Sequence, residues 1–165
     1  MTLDAFNGLP DPARVWVYGF ENPLGEADQR VVADRLGRFI AGWQSHGARV
    51  TGAYALLFDR FAVLSGMVGD GLSGCSIDSS VESFKIFRDR HGLDALNRNL
   101  VHYRDADGAI RALPRAAFAA EVASGRCGPR TTVFDLTIQT LGDLRAGRFE
   151  VPLAQAWHAK AFLTV

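Results

Sequence analysis

The stretch that decides the fold is Arg49-Val-Thr-Gly-Ala-Tyr-Ala-Leu-Leu-Phe58, then Asp59-Arg60, then Phe61-Ala-Val-Leu-Ser-Gly-Met-Val68. Two runs of β-branched, aromatic and small apolar residues parted by a polar pair read as strands joined in a hairpin. Val50, Tyr54, Leu56 and Phe58 take even positions and so share one face of the first strand. Asp59-Arg60 is not the Asn-Gly type that two-residue hairpin turns favour, so the loop length stays open. A glycine-rich stretch, Gly69-Asp-Gly-Leu-Ser-Gly74, follows. Beyond it Ser79 and Glu82 have the spacing of a capping box, which predicts a helix start at Ser79. That helix turns Val81, Phe84 and Phe87 inward and closes at Gly92.

Upstream, Val15–Phe20 reads as a strand. Asn22-Pro23 starts a helix in which Val32, Leu36, Phe39, Ile40 and Trp43 recur at 3–4 spacing, and His46-Gly47 supplies a stop signal. Downstream, Leu100–Tyr103 and Ala109–Leu113 flank the turn Asp105-Ala-Asp-Gly108 as a second hairpin. Pro114 opens a short helix carrying Phe118 and Val122, and Gly125 ends it. Thr132–Ile138 alternates as a strand, Thr140 with Asp143 caps another short helix, and the tail with Trp157 and Phe162 reads as a last one. The order contains a ferredoxin-like βαββαβ string at its front. The expected fold class is therefore α+β: a mixed, mainly antiparallel sheet with helices packed on it, in one globular domain over residues 1–165, with 1–14 irregular.

Composition agrees with one ordinary core. The chain has 165 residues, 48% of them hydrophobic and 22% charged, which suits a folded domain and not a disordered tail. Eighteen basic side chains balance eighteen acidic ones, so no clustered charge points to nucleic acid. The apolar runs Ala53–Phe58 and Phe61–Leu64 are too short to span a bilayer, and the N-terminus lacks a secretory layout; no membrane partner and a cytoplasmic location are expected. Two cysteines make no disulfide framework, and CxxC and HExxH are both missing, so no metal or other cofactor is expected. Neither lysine, Lys85 or Lys160, stands in a GxxxxGK[ST] loop, which excludes a P-loop ATPase, and GxSxG is missing too. Gly69-Asp-Gly-Leu-Ser-Gly74 has the letters GxGxxG, but the strands around it do not indicate the parallel sheet that a dinucleotide-binding loop needs. Trp16, Trp43 and Trp157 read as core residues.

Chemistry concentrates in Ser73-Gly-Cys-Ser-Ile-Asp-Ser-Ser80. A glycine-rich turn leading into a helix presents unpaired N–H groups and the positive end of the dipole, which favour an anion or a thiolate. Asp78 opposes ionisation of Cys75, as a like charge. A catalytic set of Cys75 with His46 as base and Asp78 as orienter is one reading. Ligand binding by Ser73, Gly74, Ser76, Ser79 and Ser80 is the other. His46 and His91 read as helix ends, His102 as a strand histidine with satisfied bonds, and His158 follows Trp157 in the tail. Cys127, in Gly125-Arg-Cys-Gly-Pro129, reads as an exposed loop thiol. Three functions compete: binding of a small anionic ligand or a protein partner at the Gly71–Ser80 corner, a cysteine-dependent enzyme or redox-responsive protein using Cys75, and a structural subunit of a homo-oligomer.

The SGCSID segment (Ser73–Asp78), Trp43-x-x-His46-Gly47, Arg98 ahead of Val101-His-Tyr103, Thr132-Val-Phe-Asp135 and Trp157-His158 together resemble an uncharacterised family of small bacterial proteins. Some of its members carry the label "ABC transporter ATPase". The resemblance runs from about Val15 to Phe162 and implies a bacterial origin, but no established activity.

Overall fold

The computed structural model describes residues 2–69 and 75–163, with the main chain alone for 75–79. Its helices are α1 (Glu26–Gly42), α2 (Cys75–His91), α3 (Arg115–Ala123), α4 (Leu141–Arg145) and α5 (Ala159–Phe162). Its strands are β1 (Arg14–Gly19), β2 (Gln44–Ser45), β3 (Ala48–Arg49), β4 (Thr51–Leu57), β5 (Phe61–Met67), β6 (Leu100–Arg104), β7 (Ile110–Pro114), β8 (Thr132–Phe134) and β9 (Glu150–Pro152). The strand pairs among the described residues are antiparallel, and the architecture is α+β.

The β4–β5 hairpin forms as its sequence demands, with Thr51 opposite Met67 and Leu57 opposite Phe61. Its loop is the three residues Phe58-Asp59-Arg60, of which Phe58 and Asp59 take left-handed backbone (φ 55° and 51°). β5 is the centre of a three-stranded sheet ordered β1-β5-β4 and is buried from Phe61 to Gly66. One face, through Tyr18, Leu56, Ala62 and Leu64, packs on Val32 and Leu36 of α1 and on Phe84 and Phe87 of α2. The other, through Val15, Leu57, Phe61 and Val63, packs on Phe6, Leu9, Phe134, Leu141, Leu144 and Phe149. A strand covered on both faces needs apolar residues at both parities, which is why Phe61–Leu64 is a continuous apolar run.

β1, β5 and β4 take the first-third-second order of a ferredoxin-like βαββαβ string, but the fourth strand, β6, does not join β1. β7 and β8 occupy both edges of β6 in a second sheet ordered β7-β6-β8-β9, so β6 has no edge left for β1.

Several local expectations are corrected. α1 ends at Gly42, with Trp43 in extended backbone, and His46-Gly47 is the turn of the small β2–β3 hairpin. Both residues have positive φ (50° and 80°), the signs of a type I′ turn, so histidine there is a turn residue and not a helix end. α2 starts at Cys75, so Ser79 lies inside the helix and is not its N-cap. β8 stops at Phe134 because Asp135 folds back, its Oδ1 accepting from the Thr137 amide at 2.8 Å; Phe134, Leu136 and Ile138 still share the core side. The first fourteen residues are not wholly irregular: a 3-10 turn at Asp4–Phe6 buries Phe6 completely. Thr140 caps α4 as expected, accepting from the Asp143 amide at 3.1 Å.

Candidate functional site: a cavity along the free edge of β1

Because β6 pairs elsewhere, β1 keeps one open edge, and a cavity of about 520 Å³ lies along it. Arg14–Gly19 form one wall and Phe134–Gln139, apart from Asp135, contribute another. Val81 of α2, the segment Ala95–Arg98 with Leu100, and Trp157-His158 complete the lining. At one end the segment that follows β8 closes on β1 through an isolated antiparallel bridge, Arg14 opposite Thr140, where the Val15 amide donates to the Gln139 carbonyl at 2.9 Å. At the other end, His102 and Leu136 press on Gly19 so closely that an added Cβ would come within 2.6 Å of the His102 ring. Glycine is required there by close approach.

The polar groups of the lining are unevenly charged. Arg14 and Arg98 are exposed at the rim, and neither forms an ion pair among the described residues. No Asp or Glu is among the described lining residues. His158 is 4% exposed, its ring stacked on Trp157 at 4.0 Å between centroids, and its Nδ1 has no hydrogen-bond partner. Burial pushes its pKa down, Asp135 opposes that, and Arg115 adds to it. The Arg115 guanidinium sits over the rings of Trp157 and Phe162, at 5.3 and 5.6 Å, and holds the tail against this wall. An unpartnered ring nitrogen at this depth costs free energy unless something else supplies its bond.

His102 lies just behind Gly19 and is 1% exposed. Its Nε2–H donates to the Phe20 carbonyl at 3.1 Å, which leaves Nδ1 as the bare nitrogen. Burial drives its pKa down to about 4, against the bond to Phe20; Arg60 and His158 push the same way as burial.

The residues expected to carry function are placed as follows. Cys75 is the first residue of α2, and Ser76, Asp78 and Ser79 follow within its first turns; the side chains of all four lie outside the described residues, as do Ser73 and Gly74 entirely. Ser80 is fully buried, with its hydroxyl 2.9 Å from that of Tyr18, a residue of the cavity wall. His46 is exposed in the β2–β3 turn, and β2 packs against α2. Cys127 is not a loop thiol in solvent: it is 6% exposed, packs with Val101, Phe118 and Val133, and burial raises its pKa. Trp157 is not core but 41% exposed at the cavity.

Arg14, Tyr18 and Gln139 were not singled out from sequence as site residues. Their convergence depends on which edge β6 chooses, which no local pattern encodes. In the sequence Trp157 reads as core and His158 as one of four histidines, and Arg98 has no local signal of its own. Among the described residues no group of His, Cys, Asp and Glu could hold a metal ion, and no helix is long and apolar enough to cross a membrane. No protein-family model, curated protein or solved structure matches the chain.

Proposed function

We propose that the protein is a non-catalytic binding module whose β1 cavity, beside the start of α2, takes a ligand bearing a carboxylate or phosphate. The observation that carries this reading is the lining itself: among the described residues, two arginines form no ion pair, a buried histidine nitrogen has no partner, and no carboxylate lines the cavity. An anionic group gains two charge-assisted bonds at such a rim, and a polar group deeper in satisfies Nδ1 of His158. Apolar walls from Val17, Leu96, Leu136 and Trp157 exclude water and strengthen both.

The test is a thermal-shift series with phosphate and with mono- and dicarboxylates on the full chain and on Arg98→Ala. Ligand at about a hundred times its Kd stabilises the native state by about 2.7 kcal/mol, a readily seen rise in Tm. The rise should be lost in Arg98→Ala. Equal shifts in both proteins would remove the arginine from the site and the reading with it.

A further inference from the structure

The backbone of β1 adds a second kind of recognition to the same cavity. The Phe20 amide donates to Arg60 on the β5 side, whereas the Val15 amide donates outward to Gln139. Alternate residues of an antiparallel strand direct their N–H and C=O groups to opposite edges. Trp16 and Tyr18 therefore bond to β5, opposite Leu64 and Ala62, and Val17 and Gly19 aim their amides and carbonyls at the cavity. No hydrogen bond from a described residue reaches those groups. Gly19 is buried and Val17 half-buried, so water does not freely replace the missing partners. The unpaired groups recur every second residue, about 6.8 Å apart, the spacing of the complementary groups on another extended chain.

We infer that the occupant of this cavity is an extended acidic peptide segment of a protein partner, added to β1 as the strand that β6 does not supply. This rests on the anion-binding reading above and names its ligand. Main-chain bonds to Val17 and Gly19 provide the affinity of strand addition, and side chains alternate between the two faces of the sheet. Acidic side chains of the segment meet Arg14 and Arg98 at the rim, where the lack of a lining carboxylate selects against basic sequences. A bare, partly apolar edge is a hazard unless a partner covers it.

Binding of terminally blocked pentapeptides to the full chain tests this by fluorescence anisotropy, with phosphate and acetate run in parallel. A peptide alternating valine and glutamate should bind, and its valine–lysine counterpart should not. N-methylation of alternate amides removes the edge-facing donors in one register and only solvent-facing ones in the other. One N-methyl set should therefore weaken binding about tenfold or more, and the other should leave it unchanged. Equal binding by both sets overturns strand addition. Binding of phosphate or acetate without either peptide overturns it too, but leaves the anion site standing. If neither peptides nor small anions bind, both readings fall.

Discussion

His102 shows how one side chain ties packing to pH. Its pKa, pushed down to about 4 from an ordinary 6.5, belongs to a neutral ring wedged between Gly19 and Phe61. As pH falls through 6.5 the unfolded chain takes up a proton that the folded chain refuses until about pH 4. Stability is thus complete above 6.5 and declines as pH falls toward 4, by up to about 3 kcal/mol for a shift of this size. Burial of His158 acts in the same direction. Urea midpoints measured from pH 7 to 4 should show the decline, and His102→Gln, which keeps a donor for Phe20 but does not titrate, should flatten it. An unchanged slope in the variant would assign the pH dependence to other groups. Cys127 makes a simpler case. With its thiol buried and its pKa raised, it should resist alkylation in the native protein and label only on unfolding. Any thiol labelled in the native state is then Cys75, and a mass-mapped adduct on Cys127 instead would show that its packing opens readily. A rapid native reaction of Cys75 would bring the thiol-enzyme reading forward; silence at both cysteines would remove it.

At the scale of elements, the β4–β5 pairing is set by side-chain parity and by two glycines that make room for one ring. Gly52 and Gly66 face each other across the hairpin, and the Trp43 indole lies against both; a Cβ on either would approach it to 2.7 Å. The same indole packs edge-on to Trp16 and tilts against Phe39 of α1, so it joins the end of α1 to the sheet. Gly66→Ala also meets Val50 and should cost about 1–3 kcal/mol, the usual range for overpacking. Gly47→Ala provides a comparison without a steric neighbour, since only its left-handed backbone is strained. Chemical denaturation of the two variants separates the effects: suppression of the Gly66→Ala loss by Trp43→Leu would mark the indole as its cause, and a loss that persists would mark the backbone.

Across the whole molecule, the sheets are held together by contacts at the two ends of β1 and by an N-terminal segment that covers one face of the central sheet. Arg145 of α4 binds that segment back, donating to the Phe6 and Leu9 carbonyls at 3.0 Å each and pairing with Asp11. Phe6 and Leu9 are buried beneath it against Leu141, Leu144 and Phe149. Deleting residues 2–12 exposes that apolar surface and should cost several kcal/mol, since fully burying each large side chain is worth about 1.5–3 kcal/mol. A truncated protein with the Tm of the full chain would show that this face tolerates water. Such cooperation between the first and last thirds of the chain is visible only once both are folded.

What the sequence determined by itself is local and periodic. Alternating and continuous apolar runs specified β1, β4, β5, β6 and β7, because strand pairing and burial act on nearest neighbours. Recurrence at 3–4 spacing specified α1, the Ser79/Glu82 pair signalled α2 but misplaced its start, and Thr140 with Asp143 specified the start of α4 through one side-chain bond. The α+β class follows from these. Local patterns misled where two structures satisfy the same residues. His46-Gly47 suits a helix stop or a type I′ turn, and Asp135 ends a strand that its apolar alternation would continue. The β6–β7 hairpin was legible in its Asp105–Gly108 turn, but only the tertiary structure decided that the other edge of β6 pairs with β8 and not with β1, a long-range choice with no sequence-local signal. That choice leaves β1 with an open edge and draws Arg14, Arg98 and His158 around one cavity. It also buries Cys127, whose exposure depends on how α3 and the tail pack over the second sheet. The chemistry of the site thus comes from residues far apart in the chain, assembled by a pairing that no short segment encodes.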